Sequence, residues 1–182
     1  MNSKTQSLDF RRQIPAGDTH ERDVCATCGF INYVNPKIVT GSVVRHRGKI
    51  LLCRRAIEPR VGYWTLPAGF MEVGETAEQA AMRESREEAN ASIVIDRLLA
   101  VYTIPRIAQV QIMYLAHMAE EEFSAGPESL EVMLAGWDEI PWGEIAFPSV
   151  TWALEQYRSV EASTDFPPFS NPPGELGDPR PY

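Results

Sequence analysis

Residues 69–91 read GFMEVGETAEQAAMRESREEANA, and this stretch decides how the rest of the chain is interpreted. Thr76 followed three residues later by Gln79 is the pattern of a helix capping box. Asn90 suits the left-handed residue that commonly ends a helix. The sequence therefore predicts a helix over residues 76–89, with small alanine side chains that let it pack closely against a neighbouring layer.

Two glutamates of this helix are expected on its buried face. Glu84 and Glu88 continue the stripe formed by the alanines at positions 77, 80 and 81. Like charges four residues apart repel by about 0.2–0.5 kcal/mol, and partial burial costs more unless a cation neutralises them. Hard carboxylate oxygens favour Mg²⁺ or Mn²⁺. The alternative is a solvated surface helix, in which Arg83 and Arg86 balance the acids.

The flanking sequence predicts a mixed sheet with helices on both faces. Frequent β-branched side chains predict a strand at residues 38–46, and residues 49–55 are predicted to return from the turn at Arg47 and Gly48 as a second strand. Further strands are predicted at residues 92–104, 109–118 and 131–137. A helix that begins with proline is predicted at residues 148–158. Residues 1–24 are polar and predicted to be irregular. Strands, helix, strands and helix in that order predict the α+β class rather than a doubly wound sheet.

The charged residues of this stretch resemble the Nudix box, G-x5-E-x7-R-E-U-x-E-E-x-G-U, where U is a bulky aliphatic residue. The glycine and every charged position match: Gly69, Glu75, Arg83, Glu84, Glu87 and Glu88. Three positions depart from the pattern, at Ser85, Asn90 and Ala91, and these changes affect packing rather than chemistry. The similarity spans about residues 14–160 and points to a branch with bacterial proteins and plant chloroplast FAD and ADP-ribose pyrophosphatases.

The resemblance implies a Nudix-type α/β/α sandwich around a mixed β-sheet, and metal-assisted hydrolysis of a nucleoside diphosphate linked to another group. It assigns the metal to Glu84, Glu87, Glu88 and the carbonyl of Gly69. It assigns catalytic roles to Glu87, which would bind metal or orient water, to Arg83, which would orient the glutamates, and to Glu75, which would hold Arg83. The catalytic base lies outside the box in several branches, and five residues are candidates: Glu120, Glu121, Glu122, Glu128 and Glu131.

The expected substrate is ADP-ribose or FAD, cleaved to AMP and a phosphorylated product. Alternatives are nucleoside triphosphate hydrolysis and a non-hydrolysing nucleotide sensor on the same scaffold. NADH is a lower choice, because the signature that follows the box in NADH pyrophosphatases is not visible. Arginine suits phosphate recognition, and Arg54, Arg55 and Arg106 are the candidates, with only one of the first two facing the site. Tyr63 and Trp64 could stack on a base or serve as core anchors.

We divide the chain into an N-terminal extension at 1–36, a Nudix domain at 37–160 and a proline-rich tail at 161–182, which we expect to be coil or disordered. Cys25 and Cys28 have the spacing of a zinc knuckle, and the resemblance makes them the remnant of a zinc ribbon. A closed structural zinc site needs four ligands. His20 could be a third, but no fourth is apparent, and we expect bound zinc to be unlikely.

The charge of the chain limits its partners. The 182 residues carry a net charge of −8, and residues 107–182 hold 2 basic against 13 acidic residues. Proteins that bind long nucleic acid neutralise phosphates with basic side chains, so that class is excluded. Residues 69–91 contain 6 acidic and 2 basic residues. Half of the net charge therefore lies in the predicted metal site, where bound cations suit an anionic nucleotide substrate.

Location and assembly are also expected from the sequence. No apolar run reaches the roughly 18 residues of a membrane-spanning helix, and residues 1–12 lack the apolar centre of a signal peptide. Three cysteines are too few for a disulfide framework. We therefore expect a cytoplasmic protein that does not bind membranes. The resemblance alone implies a homodimer that exchanges strands near the N-terminus.

Overall fold

The computed structural model describes residues 9–163 and 165–177, and the chain divides into two compact units, residues 1–35 and 36–182. The first unit is a three-stranded antiparallel sheet with the order β1-β2-β3. Its strands are β1 (Phe10–Gln13), β2 (Arg22–Cys25) and β3 (Ile31–Asn32). The prediction that residues 1–24 are irregular was therefore wrong for β1 and most of β2. Both strands are short and polar, so they lack the alternating apolar pattern that marks a strand.

Polar interactions hold the turn of the first unit. The Asp18 carboxylate accepts a hydrogen bond from Nε of Arg22 at 2.9 Å. This bond, together with the backbone N–H groups of His20 and Thr19, lowers the pKa of Asp18 to about 2. The Arg22 guanidinium also lies 5.2 Å from the centre of the Tyr33 ring. Small units bury little apolar surface, so these polar and cation–π contacts add to the stability of the first unit.

The second unit contains a mixed sheet and two helices. The sheet has the order β10-β5-β4-β9-β8, with β6 paired to β5 and β7 paired to β4. The strands β4 and β9 are parallel, and the other pairs are antiparallel. The elements are β4 (Lys37–His46), β5 (Lys49–Arg55), β6 (Trp64–Thr65), β7 (Ala68–Phe70), α1 (Ala77–Ala89), β8 (Ile93–Ile104), β9 (Gln109–Met118), β10 (Ser129–Ala135) and α2 (Pro148–Val160). This is the predicted α+β arrangement.

The ends of α1 are those that the sequence predicts. The Thr76 side chain accepts a hydrogen bond from the Gln79 N–H, and the Gln79 side chain bonds back to the Thr76 N–H. Asn90 adopts the left-handed conformation with φ of 47°. By contrast, β10 begins and ends two residues earlier than predicted, because a register shift between Ser129 and Glu131 lets pairing with β5 start sooner.

Each helix covers one face of the sheet. Val44 of β4 packs with Ala89 of α1 in one hydrophobic cluster, whereas Val43 packs with Trp152 and Leu154 of α2 in another. Successive residues of a strand point to opposite faces. Even-numbered residues of β4 therefore face α1, and odd-numbered residues face α2.

Neither helix of the described residues is long and apolar enough to cross a membrane. Both α1 and α2 have 13 residues. A membrane-spanning helix needs about 20 mostly apolar residues.

The segment 165–177, which we call the C-terminal strap, runs along the outer edge of β8. The Phe169 N–H donates to the Leu99 carbonyl, and the Val101 N–H donates to the Phe169 carbonyl. The Asn171 side chain accepts from the Thr103 N–H and donates to the Thr103 carbonyl, both at 2.9 Å. The expected coil is present in this part of the tail, but it is packed rather than disordered, because Phe169 also contacts the α2-side cluster.

Asn171→Ala tests the strap. The variant loses both bonds to Thr103, so the free energy of unfolding should fall by about 1–2 kcal/mol. Urea denaturation followed by circular dichroism measures the change. The control is Ser170→Ala, because Ser170 contacts Gln156 through its backbone carbonyl rather than its side chain. A drop of equal size in both variants would contradict the role given to Asn171.

Candidate active site

The close approach of α1 to β7 explains why residue 69 is glycine. A Cβ atom built on Gly69 would lie 2.4 Å from the carboxyl group of Glu84, far inside van der Waals contact. Any other side chain at position 69 would therefore displace that carboxylate. The first position of the box is thus occupied by glycine because the side chain of Glu84 fills its space.

Arg83 holds the acidic residues of the box in one network. Its guanidinium donates to Glu75 at 2.8 and 3.1 Å, to Glu84 at 2.7 Å and to Glu87 at 2.8 Å. A further bond of 2.9 Å reaches the carbonyl of Phe70. These bonds raise the pKa of Arg83, so its positive charge is secure. Arg83 therefore fixes the box loop to the helix.

Glu75 accepts two hydrogen bonds from Arg83, the contact that the family resemblance implies. The hydrogen bond from Arg83, followed by one from the Glu72 N–H, lowers the pKa of the Glu75 carboxyl group. Its two oxygens are therefore committed, one of them to both donors. A carboxylate held in this way positions an arginine and is poorly placed to bind a substrate.

Glu84 and Glu88 are buried side by side between α1 and the sheet. Their relative exposures are 7% and 4%. Burial raises the pKa of Glu88 to about 8, although a hydrogen bond from the Ala68 N–H at 3.1 Å opposes this effect. Burial also raises the pKa of Glu84, against the attraction of Arg83. The negative charge of Glu84 raises the pKa of Glu88 further, so a cation placed between the two carboxylates would relieve an electrostatic cost.

The donor set fits a hard divalent cation, although the ligands are not yet gathered. Within residues 9–163 and 165–177, no three His, Cys, Asp or Glu side chains converge as a ready metal cluster. Glu84 and Glu87 instead both accept a hydrogen bond from Nη1 of Arg83. Glu88 and Glu84 offer buried oxygens without His or Cys, and such ligands suit Mg²⁺ or Mn²⁺. If Glu84 were released from Arg83, both buried carboxylates could bind the same cation.

The connection between β9 and β10 brings another glutamate to the buried carboxylates. The N–H groups of Ser124 and Gly126 donate to the last carbonyls of α1, those of Ala89 and Glu88. A Cβ atom at Gly126 would lie 1.7 Å from the Glu87 carbonyl oxygen, so only glycine fits. Two residues later, the negative charge of Glu128 contributes, after burial, to the raised pKa values of both Glu84 and Glu88.

Asn90 strengthens this connection in a way that the sequence did not reveal. Its side-chain amide donates to the carbonyls of Ser124 and Ala125 and to the Ser124 hydroxyl. The glycine that usually stands in the box could not make these bonds. Ser85 is likewise accommodated, because its buried hydroxyl donates to the Ala81 carbonyl at 3.1 Å.

Two other candidates for the base have partners elsewhere. Glu121 pairs with Arg47 in the hairpin turn between β4 and β5. Glu131 lies 3.6 Å from Arg54. Glu120 and Glu122 are exposed, and the largest effects on the pKa of either buried carboxylate come from other residues. Of the five predicted candidates, the structure brings Glu128 to the site.

The three predicted substrate arginines have different surroundings. Arg55 is close enough to Glu88 for its charge to lower the pKa of that group, after burial and other larger effects. Arg54 instead donates to the Gly62 carbonyl and lies over the Trp64 ring. Trp64 is buried in the α2-side cluster, so it is a core anchor. Arg106 lies in a short 3-10 turn after β8, at the end of the sheet where β4 and β9 begin.

Cys25 and Cys28 in the first unit form a tight turn. The backbone N–H groups of Cys28 and Thr27, and then the Cys28 thiol, lower the pKa of Cys25 by hydrogen bonding. A thiolate is the form of cysteine that binds metals. In the described part of the chain His20 does not join the two thiols in a three-ligand group. It bonds instead with the neighbouring Thr19 and Asp18.

Comparison with protein families gives two matches. Residues 35–156 match the family described as NUDIX domain, and residues 9–34 match the zinc-ribbon family described as Nudix N-terminal. The second match counts against our expectation that zinc is unlikely, because the segment resembles a zinc-binding module. Cys25 and Cys28 would supply two of the four ligands. Residues 1–8 contain no Cys or His.

Several known proteins are similar to this chain. A crystal structure of a Nudix hydrolase from Nitrosomonas europaea is 42% identical with a TM-score of 0.85, and the match covers 94% of this chain and 99% of that one. An ADP-ribose pyrophosphatase of Methanocaldococcus jannaschii is 31% identical over 113 residues, 60% of this chain and 67% of that protein. The NAD-capped RNA hydrolase NudC of Yersinia enterocolitica is 32% identical over 133 residues, 71% of this chain and 49% of NudC. This chain thus spans about half the length of NudC.

The raised pKa of Glu88 predicts a pH-dependent stability in metal-free buffer. The folded protein keeps the Glu88 proton up to about pH 8, whereas the unfolded chain releases it near pH 4.5, the ordinary pKa of a glutamate. The contribution of Glu88 to stability is therefore present at low pH and is lost between these pH values, with a limiting slope of about 1.4 kcal/mol per pH unit.

Glu88→Gln removes this titration. At pH 8 with a chelator present, the variant should be more stable than the parent protein, and its advantage should shrink towards pH 5. Urea unfolding at pH 5, 6.5 and 8 measures both free energies. Parallel profiles for the two proteins would show that Glu88 ionises in the folded state as it does in the unfolded chain.

Proposed function

This chain belongs to the Nudix family and is a hydrolase that acts as a pyrophosphatase, and from that premise we propose that it hydrolyses ADP-ribose to AMP and ribose 5-phosphate with Mg²⁺ or Mn²⁺. The observation that carries the proposal is the pair of carboxylates, Glu84 and Glu88, buried between α1 and the sheet. Glu84 is also hydrogen-bonded to Arg83. A buried pair of carboxylates can bind a divalent cation, and the bound cation can in turn bind the negatively charged pyrophosphate of a substrate.

The choice of ADP-ribose rests on a relative. The pyrophosphatase of Methanocaldococcus jannaschii, named for that substrate, is 31% identical to this chain over 113 residues. NudC, which is named for NAD-capped RNA, supports a substrate that contains NAD as a second candidate, although this chain matches only 49% of its length. FAD and nucleoside triphosphates stay open, because the box recognises the pyrophosphate and not the attached group.

Glu84 and Glu88 are the proposed metal ligands, joined by the Gly69 carbonyl and by Glu87. When bound, the cation would supply charge stabilisation for the pyrophosphate and acidify water. The protein's own part is to hold the oxygens in place. Glu88 is fixed by the Ala68 N–H, and Glu84 lies in the space left free at Gly69.

Arg83 and Glu75 are the proposed positioning residues of this reaction. The strong link between them keeps Arg83 over the box loop when Glu84 is drawn away. Glu87 shares Nη1 of Arg83 with Glu84 and is more exposed, so it can turn towards solvent and orient water. Arg55, near Glu88, is the proposed contact for substrate phosphate.

Glu128 is the proposed general base. It lies outside the box, and the contacts of Gly126 with the end of α1 keep it near the buried pair. Glu128 is exposed to solvent, so water can reach its carboxylate. Such a group can take the proton of water as that water attacks phosphorus.

Incubation of the purified protein with Mg²⁺ and a substrate panel tests the proposed activity. The panel contains ADP-ribose, FAD, NADH, NAD-capped RNA and a nucleoside triphosphate, and chromatography identifies the products. We expect AMP and ribose 5-phosphate from ADP-ribose, at the highest kcat/KM of the panel. Glu84→Gln and Glu88→Gln should each lower kcat/KM by about 10²-fold or more, whereas Glu155→Gln on α2 should not. No AMP from any dinucleotide would refute the proposal.

A second experiment identifies the base. Glu128→Gln should lower kcat for the preferred substrate by about 10²–10⁴-fold, the range typical of general acid–base catalysis, with little change in Mn²⁺ affinity. Glu131→Gln and Glu121→Gln are the matched controls, because both residues pair with arginines. A larger loss in either control would move the base away from Glu128.

A further inference from the structure

A buried hydroxyl on β4 has no hydrogen-bond partner among the described residues. The Oγ1 atom of Thr40 is unbonded, and its residue is 0% exposed. A buried hydroxyl without a partner lowers the stability of the fold, and valine, which has the same shape, would avoid that cost. Packing alone therefore does not explain a threonine at this position.

The direction of the Thr40 side chain is fixed by the alternation of the strand. Val44 packs with Ala89 of α1, and β4 pairs with β9 without a register shift from residue 37 to residue 45. Thr40 lies four residues before Val44, so its side chain points to the same face. The unpartnered hydroxyl is thus directed into the layer between the sheet and α1.

The register with β7 brings Thr40 to Glu84. Thr40 pairs directly with Gly69, and a Cβ atom on Gly69 would lie 2.4 Å from the Glu84 carboxyl group. Facing Cβ positions of an antiparallel pair are about 4.5–5.5 Å apart. The side-chain space opposite Thr40 is therefore filled by the Glu84 carboxylate, within reach of a threonine hydroxyl.

Ser42 serves as a comparison on the same strand. Its hydroxyl is also buried and unpartnered in the described structure. Its register partner in β9 is Tyr114, and its N–H bonds to the Pro67 carbonyl. Thr40, and not Ser42, is the residue of β4 that lies opposite Gly69 and therefore faces the Glu84 carboxylate.

We propose that Thr40 is a positioning residue whose hydroxyl donates a hydrogen bond to the Glu84 carboxylate when Glu84 binds a divalent cation. This inference rests on the proposed metal site. In the described structure Glu84 takes its hydrogen bond from Arg83. Once one oxygen of Glu84 turns to a cation, a donor on the sheet side holds the other oxygen in place. Groups that orient a metal ligand in this way often change metal affinity by about 10–100-fold when removed.

The test is Mn²⁺ binding to the full chain without substrate, followed by electron paramagnetic resonance. Thr40→Val should raise the Kd for Mn²⁺ about tenfold, and Thr40→Ser, which keeps the hydroxyl, should stay within about twofold of the parent. In metal-free buffer the Tm of Thr40→Val should equal or exceed that of the parent, because an unpartnered hydroxyl has been removed. Ser149→Ala, which removes a buried hydroxyl on α2, is the matched control.

The outcomes separate this inference from the proposed function. Loss of Mn²⁺ binding in Glu88→Gln, with equal Kd values for Thr40→Val and the parent, would overturn the role of Thr40 and leave the metal site intact. Mn²⁺ binding that survives both Glu84→Gln and Glu88→Gln would overturn the metal site and the role of Thr40 together. A Thr40→Val effect of the same size in a Glu84→Gln background would also overturn the inference, because the two residues would then act independently.

Discussion

The burial of two like-charged carboxylates between a helix and a sheet is the constraint on which the second unit depends. Glu84 and Glu88 cannot ionise freely there, and burial raises the pKa of Glu88 to about 8. Two nearby donors reduce the electrostatic cost of this burial. Arg83 donates a hydrogen bond to Glu84, and the Ala68 N–H donates one to Glu88. Because the carboxyl group of Glu84 occupies the space beside residue 69, that position is limited to glycine. The two hydrogen bonds offset part of the cost of burying the carboxylates, and a divalent cation would offset more of it.

The local parts of this arrangement could be read from the sequence because neighbouring residues determine them. The helix cap at Thr76, the left-handed Asn90 and the inward face of Glu84 and Glu88 all follow from residues within one helix. The Nudix fold that the box implied is confirmed by the similarity to the Nitrosomonas europaea structure. The strands β4, β5, β8 and β9 were also predicted nearly as they are, since each is long for a strand, and β4 and β8 are also rich in β-branched residues.

The parts that escaped prediction depend on contacts between distant segments. Nothing in the sequence near Glu128 distinguishes it from its four acidic neighbours. Its place at the site comes from the approach of Gly126 to the end of α1. The short strands of the first unit are polar, so they lack the alternating apolar pattern by which a strand is predicted. The turn beside them is held by the hydrogen bond between Asp18 and Arg22. The unpartnered hydroxyl of Thr40 is likewise a property of the packed layers, not of the strand alone.

The C-terminal strap covers the edge strand β8, and it is synthesised after the strands of the sheet. Its Phe169 and Asn171 occupy main-chain groups of β8 that another strand would otherwise use. An open strand edge is a template for association with other chains. Since residues 165–177 follow every other element of the sheet, β8 stays uncovered during synthesis until they have emerged from the ribosome. Neighbouring nascent chains are thus exposed to edge pairing in that interval, which ends when the strap docks on β8.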